Sequence, residues 1–231
     1  DAIVVTLLKD AEVESAMTIS TNISIQNEVG RSITVYRGAG LEATNMFNVA
    51  SKGNLTIQGV GNANSIVLDG RTQEEADAKA SRDAVKGSTG SLISNGGIVN
   101  IVNTAVQYVK KDVTSGDGGV INNVAGATLN VKDSVFDNNY TTRYGSVVYS
   151  KGSMTFENTT FTNNKAAGNG GVLCNHDGTY FEVDGCTFIS NSGVDGGVIW
   201  NNKTATIKNS TFQSNSAAGK GGAILTKVEA S

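Results

Sequence analysis

The chain has 231 residues, a formal net charge of −3 and only 17% charged residues, so it offers no basic footprint for a phosphate backbone and nucleic acid is not an expected partner. Hydrophobic residues make up 39%, Gly reaches 28 and Pro is absent, a balance that is neither disordered nor membrane-spanning. No apolar run approaches the roughly 18 residues needed to cross a bilayer, so no membrane insertion is expected within this segment.

The first residues, Asp1-Ala2-Ile3-Val4-Val5, show no initiator Met, charged leader or cleavage site, and the last complete motif, Gly221-Gly222-Ala223-Ile224, opens another repeat and then stops. Both ends read as boundaries of a fragment of a longer chain. Residues 1–50 carry irregular spacing and more charge, and are expected to form the first coils and the end that covers the core. The apolar pairs Met17/Ile19, Ile33/Val35 and Leu55/Ile57 mark early strands. From Arg71 to Gly90 the chain is charged, Ala-rich and free of β-branched runs. This 71–90 stretch reads as an inserted loop with a short helix, projecting from the body.

Residues 92–224 carry a regular repeat, and residues 1–231 read as one domain. Val99, Ile101, Thr104 and Val106 introduce the spacing. A Gly-Gly or Gly-Ser step recurs at Gly118, Gly145, Gly170, Gly196 and Gly221, at intervals of 27, 25, 26 and 25. Phe-x-x-Asn recurs in register with it at Phe136/Asn139, Phe161/Asn164, Phe188/Asn191 and Phe212/Asn215. Before each Phe stand two alternating apolar residues and a small one: Leu129, Val131, Ser134; Met154, Phe156, Thr159; Phe181, Val183, Cys186; Ala205, Ile207, Ser210. Period-two alternation broken by a three-residue step predicts two short strands joined by a tight bend. Units this short cannot bury their own apolar faces, so they must stack, and the fold class expected is all-β, a right-handed, single-stranded parallel β-helix. Asn at the bend tolerates left-handed backbone and can bond to its neighbour one coil away, building an asparagine ladder. The Gly pairs suit a corner that needs positive φ or close backbone approach.

The Gly-Gly-Ala-Ile-like and Phe-x-x-Asn motifs over residues 118–224 resemble the repeats of chlamydial polymorphic outer-membrane proteins and of adhesin-like surface proteins of gut bacteria and methanogens. Val5-Thr6-Leu7-Leu8-Lys9-Asp10 and Val67-Leu68-Asp69-Gly70 look like N-terminal stretches of large β-helical surface proteins. Gly-Ser at 145, and Val in place of Ala in most units, depart from the motif. The resemblance implies a secreted or surface-anchored, extracellular protein with a role in adhesion.

β-Helices also carry polysaccharide lyases and glycoside hydrolases. Glu157, Glu182 and Asp184 alternate away from the apolar rows, and Glu157 and Asp184 hold equivalent positions in successive coils. Carboxylates about 5 Å apart suit retaining glycoside hydrolysis, and an oxygen cluster suits calcium. Lys132 and Lys208 hold the same position in the flanking coils, however, and a row of Lys, Glu, Asp, Lys reads as a charge-balanced outer face. His176 is the only histidine, so no His cluster can hold a metal, and no cofactor motif appears. Cys174 and Cys186 match no metal-ligand spacing and are expected to be unpaired.

Four residues past each Gly pair stand Asn122, Tyr149, Cys174, Trp200 and Leu225, a column with about 4.8 Å between members. Tyr149 and Trp200 are the ligand-binding candidates, as flat rings facing an extended partner such as a glycan, against the plainer reading that the column caps a corner of the core. Three functions follow from these features. The first is a non-catalytic adhesin-like module that binds a glycan or host protein along its flank. The second is a carbohydrate-active enzyme using Glu157, Glu182 and Asp184, and the third is a structural stalk.

Overall fold

Alternation dictates the architecture. The coordinates are a computed structural model that describes residues 2–61 and 63–227. Every named strand pairs in parallel with its equivalents one coil away, and the described residues form three eight-stranded sheets and a short five-stranded one. One coil shows the path: Ser153–Glu157 lies in the first sheet, Thr160–Thr162 in the second, Lys165–Ala166 in the short sheet and Leu173–Asn175 in the third. Repetition of this circuit gives a parallel β-helix, in which each turn of chain supplies one strand to each sheet.

The rows read from the sequence are rows in space. Leu129, Met154 and Phe181 are register partners, as are Val131, Phe156, Val183 and Ile207. Val106, Phe136, Phe161, Phe188 and Phe212 form the next row. Stacking sets the ring geometry. Phe161 and Phe188 have centroids 4.7 Å apart with planes 5° from parallel, and Phe188 and Phe212 are 4.8 Å apart at 10°. Ring spacing thus matches the strand spacing, so each Phe gains a stacking contact from the pairing that already holds the backbone.

The bends differ from expectation in one respect. The residue with left-handed backbone precedes the inward-facing one: Asn138, Asn163, Ser190 and Ser214 have φ of 54–56°, one position before Asn139, Asn164, Asn191 and Asn215. The ladder Asn therefore serves by its amide, and its predecessor turns the chain. The same holds at the bend between the first two sheets, where Asp133, Asn158, Gly185 and Asn209 have positive φ. At the Gly corner, Gly145, Gly170, Gly196 and Gly221 have φ of 61–67°, and a Cβ on Gly171 would lie 2.0 Å from the Gly197 carbonyl oxygen. Positive φ and close approach both operate, on the first and second residues of the pair.

Residues 3–49 build coils in register with those that follow, with Ile3–Leu7 paired to Asn22–Asn27 and Met17–Ile19 to Phe47–Val49. Ile3, Val4 and Leu8 are more than half exposed on the first of them. The 71–90 segment contains the short helix Gln73–Asp77, closed by a capping box between Thr72 and Glu75. It does not project. Arg71 pairs with the buried Asp69 at 2.7 Å, Arg37 Nη2 donates to the Lys86 carbonyl, Val85 is buried, and Arg82 reaches the Asn163 carbonyl. Three of its charges, on Arg71, Lys86 and Arg82, reach carboxylates or a backbone oxygen of the solenoid, while Asp83 stays exposed.

Candidate functional site

A solenoid offers its flanks, and the outward rows differ between faces. On the first sheet the central outward row runs Ser24, Thr56, Asn100, Asn130, Thr155, Glu182, Thr206. Four of its members, Thr56, Asn100, Asn130 and Thr155, are bonded in succession. Asn100 Nδ2 donates to Asn54 Oδ1 at 3.1 Å and to Thr56 Oγ1 at 3.2 Å, Asn130 Nδ2 donates to Asn100 Oδ1 at 2.9 Å, and the Thr155 hydroxyl donates to Asn130 Oδ1 at 2.9 Å. The neighbouring row holds Lys132, Glu157, Asp184 and Lys208 as register partners.

Glu157, Glu182 and Asp184 thus share one face, as their spacing predicts, and each is ion-paired. Lys132 lies 2.8 Å from Glu157, while Lys208 lies 2.8 Å from Glu182 and 3.4 Å from Asp184. The Lys208 ammonium, then the Tyr180 hydroxyl, hold the Glu182 carboxyl below its usual range, and Asn209 with Lys208 does the same for Asp184. Their partners rise in step: the hydrogen bond to Glu157 raises Lys132, and those to Glu182 and Asp184 raise Lys208. A glycoside hydrolase needs one carboxyl held protonated near neutrality, and the environment of Glu182 and Asp184 drives them the other way. Among the described residues no three His, Cys, Asp or Glu side chains gather as a metal-ligating group.

The third sheet carries the aromatic column in the predicted register, Asn122 beside Tyr149, Tyr149 beside Cys174, Cys174 beside Trp200 and Trp200 beside Leu225. Its side chains face outward and form their own apolar cluster, with Tyr144 and Leu225 packed against Tyr149, Cys174 and Trp200. Tyr149 is 7% and Trp200 6% exposed, so the ring faces are covered. His176 does part of the covering, with ring centroids 5.5 Å from Tyr149 and 6.1 Å from Trp200, and Lys227 Nζ sits 5.5 Å above the Trp200 ring. Trp200 borders a cleft of about 210 Å3 with Tyr144, Asn169, His176 and Lys227. His176 Nδ1 lies 2.6 Å from Asp177 Oδ2, and that bond lowers the Asp177 carboxyl. Both cysteines are free: Cys174 belongs to this outer cluster, whereas Cys186 lies in the main core.

One residue past the column stands a second ladder, which the sequence does not announce. Asn95 Nδ2 donates to Asn123 Oδ1 at 2.8 Å, Asn123 Nδ2 to Ser150 Oγ at 2.9 Å, and Asn175 Nδ2 to Asn201 Oδ1 at 2.7 Å. The outward amide row at Asn100 and Asn130, and the exposed Tyr180 beside Glu182, are likewise unmarked by the repeat, because outward positions carry no periodic signature.

No helix among the described residues is long and apolar enough to cross a membrane. No curated protein matches the chain significantly. Two segments, 158–176 and 209–227, match the model of the Chlamydia polymorphic membrane protein repeat. They are equivalent windows two coils apart, each opening on a left-handed Asn at the first bend, crossing a core Phe and a ladder Asn, and ending just past a strand of the third sheet. Two coils of this parallel β-helix are thus similar to the Chlamydia polymorphic membrane protein repeat.

Proposed function

We propose that this chain is a non-catalytic, extracellular module of a cell-surface protein that binds a glycan or a host protein along its flank. The observation that carries the reading is the match of two coils to the polymorphic membrane protein repeat. The ion pairing of Glu157, Glu182 and Asp184 supports it by leaving Glu182 and Asp184 with lowered affinity for protons, the reverse of what a general acid requires. In this reading Tyr149 and Trp200 act at the cleft that Trp200 borders, Trp200 as a wall and Tyr149 as its support.

The test is a glycan and matrix-protein array probed with the labelled chain, run beside reducing-end and unsaturated-product assays on a polysaccharide panel. Saturable binding without product formation is the expected result. Product release abolished by Glu182→Gln would replace the reading with an enzymatic one, and a blank array with blank product assays would favour a stalk.

A further inference from the structure

The outer face of the first sheet combines four features found together nowhere else among the described residues. The first is the row of neutral groups at Asn100, Asn130 and Thr155, held in fixed rotamers by hydrogen bonds along the solenoid axis. An amide offers two N–H donors and two acceptor lone pairs. Asn130 spends one donor on Asn100 and one lone pair on Thr155, which leaves it one of each, while Asn100 spends both donors, on Asn54 and Thr56, and keeps one lone pair. The second is a concavity of about 420 Å3 over this row, bordered by Asn100, Asn130, Thr155, Lys132, Glu157 and Glu182. The third is Tyr180, which is 50% exposed and whose hydroxyl donates to Glu182, so an aromatic ring is pinned at the edge of the row. The fourth is charge: three carboxylates, Glu157, Glu182 and Asp184, stand against two ammonium groups, Lys132 and Lys208, leaving one negative charge in excess.

We infer that this face is a binding track for a neutral glycan, with Tyr180 as its aromatic platform and Asn100, Asn130, Thr155 and Glu182 as its hydroxyl contacts. The inference rests on the adhesin-type reading, names the ligand class, and assigns a surface on the first sheet separate from the Trp200 cleft. Fixed amides and a carboxylate at regular spacing suit a polyhydroxylated chain, whose hydroxyl groups donate and accept at each ring. From Asn100 to Glu182 the row takes three steps of about 4.8 Å, a track of about 14 Å, long enough for about three sugar rings. The negative excess turns away uronic-acid polymers and nucleic acids. The hydrogen bonds already made within the row hold the binding groups in place before the ligand arrives, which lowers the ordering cost of association.

The experiment titrates the chain with cellohexaose, mannohexaose, xylohexaose and an oligogalacturonate, by calorimetry and by saturation-transfer NMR. Variants Tyr180→Ala, Glu182→Gln and Thr155→Arg are compared with Trp200→Ala, each checked for unchanged far-UV circular dichroism. Tyr180 and Thr155 point outward, so their replacement spares the core. The expected result is saturable binding of at least one neutral hexaose, weakened tenfold or more by Tyr180→Ala and by Thr155→Arg, with oligogalacturonate at least tenfold weaker. Binding that survives both variants, or a preference for oligogalacturonate, overturns the track and leaves the adhesin-type reading standing. Absence of binding to all four probes overturns the track, and a positive or blank wider array then decides separately whether that reading survives.

Discussion

Asn191→Ala tests the internal ladder most directly. Asn191 is fully buried, and its amide makes four bonds: Oδ1 accepts from the Asn164 backbone N–H at 2.9 Å and from Asn164 Nδ2 at 3.1 Å, while Nδ2 donates to the Phe161 carbonyl at 2.9 Å and to Asn215 Oδ1 at 3.0 Å. Truncation to Ala removes all four and leaves two donors of Asn164 and the Phe161 carbonyl without these partners. Asn215 keeps one, since the Asn191 backbone N–H still donates to it at 2.9 Å. At about 1 kcal/mol net per bond, with more for each buried group left unsatisfied, the loss is about 3–5 kcal/mol. Asn202→Ala is the control, because the Asn202 amide donates to the His176 carbonyl at 3.2 Å at a half-buried site. Its cost should stay below about 1 kcal/mol. Equilibrium urea unfolding followed by circular dichroism reads both, and repeat proteins lose neighbouring coils together, so the midpoint of the whole transition should move for Asn191→Ala. Equal midpoints for the two variants would refute the ladder as a source of stability.

Three further outcomes follow from the same geometry. Cys174 and Cys186 are 2% and 1% exposed, and burial pushes both thiols up, Cys186 to about 11, so labelling should find no reactive thiol in the folded protein and two after denaturation without reductant. Trp200 should be poorly quenched by acrylamide, and Trp200→Ala should cost about 3–5 kcal/mol by opening the outer cluster, with efficient quenching of the native protein as the contrary result. Arg71→Ala should cost about 3–5 kcal/mol, because it strips the buried Asp69 carboxylate of two hydrogen bonds from the guanidinium, and limited proteolysis should then cut first within residues 72–90. A cleavage pattern unchanged from the parent protein would mean that Arg71 does not hold the segment down.

What the sequence reveals here is what repeats. Leu129, Met154 and Phe181 announce their row because each must be apolar and in step, and the four ladder Asn residues announce theirs because one amide can satisfy the next only at the same bend. The second ladder is hidden by Ser150, whose hydroxyl takes the place of an amide and breaks the Asn pattern. The anchoring of residues 71–90 is hidden for another reason: Arg82 meets Asn163 across 81 residues and Arg37 meets Lys86 across 49, and no local period encodes such pairs. The left-handed positions were within reach, since Asp133, Asn158, Gly185 and Asn209 are the residue types that tolerate positive φ, one step before the small residue of each coil. Trp200 shows the opposite limit. Its place in an outward column follows from spacing, but its burial depends on His176, Tyr144 and Lys227 closing over it.

The same division explains why a surface-protein repeat can leave its ligand unstated. Inward rows are constrained on both sides by copies of themselves: replacing Phe188 disturbs its stacks with Phe161 and with Phe212 at once. Outward rows bear no such constraint, and a single register line passes through Lys132, Glu157, Asp184 and Lys208 without altering the backbone beneath it. Matches to the repeat at 158–176 and 209–227 therefore report the shared scaffold, and in the proposed reading specificity lies in side chains that the repeat leaves free. On this chain the outward rows change character along the axis, from amides and hydroxyls at Thr56, Asn100 and Asn130 to ion pairs at Glu157, Glu182 and Asp184. The junction of those two regions, at Thr155 and Glu182 beside Tyr180, is where neutral hydrogen-bonding capacity, a carboxylate and an exposed ring meet, and it is there that substitutions should alter which ligand is held while leaving the coil intact.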